Sequence, residues 1–226
     1  MCGRFTQKSE RPDIQLEFYI RGWQADPDIS FNIAPSQKAG VIINDGEKNI
    51  FTQFQWGLIP HWAKDPKMGY NMINAKAETV AEKPSFKYPF KKKRCLIPAD
   101  GFFEWKKEGK IKIPYYIFVK DNPLCSFAGL YDEWGDSEKK VITFTIITTE
   151  ANDLVSDIHV KKRMPVIIRK DDRDLWLDNN NYNEVSLLSL LKPYDSKEMN
   201  AYIVSDFVNA PRNNSSVCIE PVSNTV

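Results

Sequence analysis

Apolar and polar positions alternate with period two over much of this chain, and shorter stretches of helical spacing interrupt the alternation. VIIND, ending in an Asn-Asp-Gly turn, and NIFTQFQWGLIP beyond it read as a hairpin closed by Pro60. CLIPADGFFEWKKEGKIKIPYYIFVK reads as two strands around a polar Lys-Glu-Gly-Lys turn, and SFAGLYDEW with VITFTIITTEA as a second pair. RMPVIIRK and NAYIVSDFVN are further extended segments. Helices are expected in SERPDIQLEFYI, where Ser9 is the cap candidate, in ANDLVSDIH, in DRDLWLD and in YNEVSLLSLLKPY. INAKAETVAEK has helix-favouring Ala, Glu and Lys, which places Asn74 near a helix start, and SFNIAPSQ reads as a loop. The sum is an α+β fold with a mostly antiparallel, barrel-like β core and flanking helices. No repeat or linker-like composition divides the chain, so one domain over residues 1–226 is expected.

Composition narrows the class. Hydrophobic residues make up 42% and charged residues 27%, with 13 Phe, 9 Tyr and 6 Trp, enough to build a core and unlike a disordered chain. No apolar run approaches the ~18 residues of a membrane span, and MCGRFTQKSERPD lacks the apolar stretch of a secretory signal. A cytoplasmic protein without a membrane partner is expected. The four cysteines, Cys2, Cys95, Cys125 and Cys218, form no CxxC pair, which argues against a zinc site and a disulfide framework; the last three read as small buried hydrophobes. No metal or other cofactor is called for. Net charge is +1, from 31 basic and 30 acidic residues, so any nucleic-acid binding has to be local. The one dense basic run, KYPFKKKR, is either a solvated loop before a strand or a set of phosphate contacts.

A few polar residues stand where patterning does not ask for them. Removal of Met1 from MCGRF leaves Cys2 as an aminothiol, with a free α-amine and a thiol on one residue. Glu104, between Phe103 and Trp105, is either an outward-facing residue of an alternating strand or a partly desolvated carboxyl of raised pKa, suited to general acid work. His159, one of two histidines, ends a helix and is either a packed or capping residue or a proton-transfer group. Asn74 in MINAKAET is an uncharged hydrogen-bonding group.

MCGRF, FNIAPSQ, WGLIPHWA, INAKAET, CLIPADGFFEW and DIH followed by RMPVII, in that order and spacing from Cys2 to the CIEPV tail, resemble the SOS response-associated peptidase family, whose members process abasic sites in DNA. The resemblance implies a β-rich, barrel-like core around a DNA-binding channel. It makes Cys2 the covalent residue after loss of Met1, Asn74 a partner of the reacting sugar, and Glu104 and His159 the proton-transfer groups. The implied target is the open-chain aldehyde of an abasic deoxyribose in single-stranded DNA or at a single-strand to double-strand junction, trapped as a thiazolidine, with lyase activity as a secondary expectation. A monomer is expected.

Arg4, Lys76 and Arg163 are the candidate phosphate contacts, and Trp62 with the Ala34-Pro35 loop a candidate wedge or stacking surface. For Trp62 a place in the core is the alternative. Lys76 stands where relatives often carry arginine, keeping the charge without the bidentate fork. Relatives commonly read His-x-Arg-Met-Pro, whereas His159-Val160-Lys161-Lys162-Arg163-Met164-Pro165 holds two extra residues. These either bulge outward, where the lysines add phosphate contacts, or shift the helix end and displace His159. Two other classes fit Cys2: an N-terminal-nucleophile cysteine peptidase or amidohydrolase, whose own α-amine is the base, and a non-catalytic single-strand binding module with a buried cysteine.

Overall fold

The structure, a computed structural model, describes residues 2–136, 139–180 and 182–222; Met1, whose removal the aminothiol reading requires, lies outside the described residues. The strands are β1 (Phe5–Gln7), β2 (Ile20–Trp23), β3 (Ser30–Ile33), β4 (Lys38–Asn44), β5 (Asn49–Trp56), β6 (Asn74–Lys76), β7 (Arg94–Ala99), β8 (Gly101–Glu108), β9 (Ile111–Val119), β10 (Cys125–Trp134), β11 (Val141–Glu150), β12 (Arg163–Pro165) and β13 (Met199–Ile203). The α-helices are α1 (Arg11–Phe18), α2 (Pro84–Lys92), α3 (Asp153–Ile158), α4 (Arg173–Leu177) and α5 (Glu184–Ser189). Among the described residues no helix is long and apolar enough to cross a membrane.

Strands β13-β9-β8-β1-β3 form one antiparallel sheet. In the second sheet, β12-β11-β10-β7-β4-β5-β2, strand β11 also pairs with β5 in parallel, so β11, β10, β7, β4 and β5 close into a five-stranded barrel. The expected mixed α+β, barrel-like architecture is therefore observed. Closure leaves those strands no free edge in the ring. Phe5 of the first sheet meets Trp56 and Phe127 of the second edge-on, with centroids 5.1 and 5.9 Å apart, and Cys2 is buried in the same cluster.

Strand β11 organises the site. Residues Thr143 and Phe144 pair with β10 and with β5, and Ile146 with β10 and with β6, so β5 and β6 lie end to end along one edge of β11. Between them the chain leaves at Gly57, whose φ of 122° favours glycine, loops through His61 and Trp62, and returns at Asn74. Trp56 Nε1 donates to Ile73 O at 2.8 Å and fastens the return.

Three local expectations are corrected. INAKAET does not open a helix: Asn74 begins β6, because pairing with Ile146 to Thr148 outweighs the helix preference of Ala, Lys and Glu. SFNI is a strand, held by the pairing of Phe5 with Ile33. The basic run lies mostly in α2, where Phe86 and Phe90, at i and i+4, are buried. Smaller differences occur too: Glu10 precedes α1 as its cap without a side-chain bond, while Ser9 Oγ donates to Asp100 at 2.5 Å.

Arg94, the last residue of the basic run, is fully buried. Its Nε donates to Trp176 O at 2.8 Å, its Nη1 to Phe90 O and Lys91 O at 2.9 Å, and its Nη2 to Asp178 O. It thus satisfies the terminal carbonyls of α2 and those around the end of α4. Replacing Arg94 with Met fills similar volume but strands these acceptors; we expect a loss on the order of 3–5 kcal/mol in urea unfolding. A loss below about 1 kcal/mol would contradict that role.

Candidate active site

Cys2, Asn74, Glu104 and His159 come together at one end of the inter-sheet core. Cys2 precedes β1 and is completely buried; its carbonyl accepts from Asn74 Nδ2 at 2.8 Å. Asn74 Oδ1 is buried with no hydrogen-bond partner among the described residues, an acceptor left beside Cys2. Glu104 is buried on β8 at 3% exposure, and by strand periodicity it shares a face with Phe102, which lies in the Cys2 cluster. The alternation of β8 is lost here because both faces are covered: Phe102, Phe103 and Glu104 are all buried. The outward-facing reading of Glu104 is thereby excluded.

His159 is the C-cap of α3, which Asn152 caps at the other end by accepting from Val155 N at 3.0 Å. The helix packs on β8, bringing His159 Nδ1 to 3.5 Å from Glu104 Oε1 and 2.8 Å from Arg163 O. A carbonyl only accepts, so Nδ1 carries the proton and Nε2 the lone pair.

Burial sets the protonation states. It pushes the Glu104 carboxyl up to about 8, lowers His159, and pushes the Cys2 thiol far up, with the Glu104 charge adding to the last shift. Near neutrality the site therefore holds a protonated carboxyl, a neutral imidazole and a neutral thiol. The arrangement can give a proton, take one, and hold an oxygen or nitrogen at Asn74.

The two extra residues bulge outward. Lys162 N donates to His159 O at 2.8 Å, Lys162 takes a φ of 48°, and its carbonyl accepts from Ala151 N at 3.0 Å, closing a turn that leaves Val160 67% exposed. His159 keeps its place. Lys161 in this turn lowers the pKa of both Glu104 and His159 through its charge. Lys161→Ala is expected to move the Glu104 titration upward, followed by carboxyl-labelled NMR; an unmoved titration would contradict this coupling.

The candidate DNA contacts differ in what they already hold. Arg4, 9% exposed, donates from Nη1 to Asn32 Oδ1 at 2.7 Å and to Val208 O at 2.8 Å. Arg163 is bonded to both oxygens of Glu78, one of them at 2.9 Å, and to Thr148 O at 2.5 Å. Both guanidiniums are engaged within the protein. Lys76 is exposed and, two residues from Asn74 on β6, projects from the same face. Trp62 is 48% exposed, which excludes the core reading, and half-buried Pro35 lies in a turn whose next residue, Ser36, has a φ of 72°.

Asn32, which no motif in the sequence singles out, is buried and donates to Val208 O, Ala210 O and Asn213 O while accepting from Arg4. The only signal was an Asn inside the apolar run FNIA. His61 is not singled out either, and its partner Asp132 is far away in sequence.

The family described as SOS response associated peptidase (SRAP) matches residues 1–211. The chain is 50% identical over 224 residues to the abasic site processing protein YoqW of Bacillus subtilis, covering 97% of this chain and 99% of that protein. It is 31% identical over 226 residues to the chicken abasic site processing protein HMCES, covering 85% of this chain and 66% of that protein. A solved structure from Bacteroides thetaiotaomicron superposes with a TM-score of 0.87 at 34% identity, covering 98% of this chain and all of that one. With the family model spanning nearly its whole length and half of its residues shared with YoqW, the chain belongs to the SOS response associated peptidase family.

Proposed function

We propose that this protein processes abasic sites in single-stranded DNA by forming a covalent thiazolidine between Cys2, exposed by loss of Met1, and C1′ of the baseless sugar. The observation that carries the proposal is the placement of Cys2 against Asn74 with a protonated Glu104 and a neutral His159 beside it. The names of relatives such as YoqW and HMCES support the same substrate.

The chemistry balances with these groups. His159, neutral, accepts the proton of the anomeric hydroxyl and returns it to O4′, which opens the sugar to its aldehyde. The Cys2 α-amine, with a pKa of ~7.7–8.0 for such a group, attacks C1′ in its neutral form to give a carbinolamine. Glu104 protonates the departing hydroxyl, water leaves, and an iminium remains. The thiol sulfur then bonds to the same carbon while its proton passes to the Glu104 carboxylate. The five-membered ring closes quickly because amine and thiol share one residue. Asn74 holds an oxygen of the sugar without altering charge.

In this sequence the thiol never has to ionise before it reacts, which matches its burial. The hydrolase reading asks for a thiolate attacking an amide, a state that burial opposes. An inert binding module would have no use for a desolvated carboxyl beside a histidine. The test is to incubate the mature protein with abasic and intact single strands and run a denaturing gel. A slow-migrating adduct with the abasic strand alone is expected. Equal reversible binding of both strands with no adduct would refute the proposal.

A further inference from the structure

Helix α2 buries Phe86, Pro89 and Phe90 and turns Lys87, Tyr88, Lys91 and Lys92 to solvent. Tyr88 with Lys91 and Lys92, at i+3 and i+4, shares one face. The helix carries no acidic residue, although the chain as a whole is balanced at +1. A solvated helix face ordinarily mixes the two signs.

Beside this face stands a built support. Asp132, buried at 0% exposure, accepts from His61 N at 2.8 Å and Lys93 Nζ at 2.8 Å, and lies 3.0 Å from His61 Nδ1. The His61 ring meets Tyr88 edge-on at 5.6 Å, and Lys93 Nζ stands 5.7 Å from the Tyr88 centroid. Trp62 follows in the same turn, and it and Tyr88 are each 48% exposed. Buried charge thus holds His61 against an exposed tyrosine ring, with exposed Trp62 next to His61 in the chain and lysines along the helix.

We infer that the outward face of α2 extends the contact surface for single-stranded DNA beyond the His61–Trp62 turn, with Tyr88 stacking a base and Lys91 and Lys92 holding phosphates. Stacking planes bordered by cations are what a single strand recognises irrespective of sequence. An acidic protein partner would answer the lysines but not the exposed Tyr88 ring held among them. The surface is close to the reactive end. Asp132 and Asn74 flank β11 on its two sides, opposite Thr143 and Ile146, so they stand about 10 Å apart along the strand and two strand spacings apart across it, about 14 Å in all. That is about four nucleotides at a base spacing of ~3.4 Å. This inference rests on the reading of the protein as a single-strand binder and extends it to the strand running on from the lesion.

The test is reversible binding of a lesion-free single-stranded oligonucleotide, followed by fluorescence anisotropy across a salt series. Tyr88→Ala should weaken binding at least about fivefold, the lower end for loss of one stacked base. Tyr88→Leu, which keeps an apolar contact against His61, should weaken it similarly because it too lacks a ring. Lys91→Gln with Lys92→Gln should flatten the slope of log K against log salt by about 1.4, the loss of two phosphate contacts. Wild-type affinity and slope in these variants, with unchanged thermal unfolding, would overturn the inference. The oligonucleotide has no aldehyde, so failure of the Cys2 chemistry would leave this result standing. Unchanged binding here alongside a normal abasic adduct would sink this inference alone.

Discussion

Cys2→Ala is expected to abolish the denaturant-resistant adduct with abasic single-stranded DNA while leaving DNA binding in place. The alanine variant, once Met1 is removed, still presents an α-amine beside Asn74 and Glu104. It can reach the imine but has no thiol with which to close the ring. The imine is hydrolysable, so borohydride reduction should trap a product in Cys2→Ala that the denaturing gel alone does not reveal. Strand cleavage from the imine is the lyase activity expected of the variant. Adduct of wild-type yield in Cys2→Ala would remove the thiol from the mechanism. Cys2 fills space in the inter-sheet core, so the variant is somewhat destabilised, and binding to the abasic strand is the control for its integrity.

Glu104→Gln should slow adduct formation by about 10²–10⁴-fold and change the shape of the pH profile. In the proposed mechanism the carboxyl acts as an acid, and burial holds its pKa at about 8. The rate therefore falls as pH rises through 8. Below that pH the rate rises with the neutral fraction of the α-amine, whose ordinary pKa is ~7.7–8.0, so the profile is a bell with its maximum near pH 8. Glutamine keeps the rising limb and loses the falling one. Stability moves oppositely, which separates lost chemistry from misfolding. The folded pKa is raised from 4.5, so the stabilisation of the native state by Glu104 is complete below about 4.5 and is lost as pH rises through 8. Glu104→Gln, which does not titrate, should unfold at a temperature no lower than wild type at pH 8. A variant with the wild-type falling limb would show that another group supplies the proton.

Much of this site was legible in the sequence because its residues lie in short motifs. Cys2, Glu104 and His159 could be named from MCGRF, DGFFEW and SDIHV, and the structure places all three together with Asn74. The setting of those residues was less legible. Asn74 sits on a strand because β11 offers a pairing edge that begins at Ile146, more than seventy residues away in sequence. Local composition carries no trace of such a partner. Arg94 stands last in a lysine run and looks like its neighbours, yet of the cations in that run it alone is fully buried, since its acceptors come from α2 and from around α4. Arg163 followed the histidine motif but is bonded to Glu78, another long-range pairing. Phe86 and Phe90 at helical spacing signal helix α2, but the lysines around and after them suggest a loop.

Intact mass of the protein, alone and after incubation with an abasic oligonucleotide, tests the central claim most directly. The protein alone should lack Met1, and the product should weigh as much as that shortened chain plus one oligonucleotide, less one water. The added mass should be absent for Cys2→Ala. Retention of Met1 in a chain that still forms the adduct, or the same added mass surviving denaturation in Cys2→Ala, would contradict a thiazolidine at Cys2.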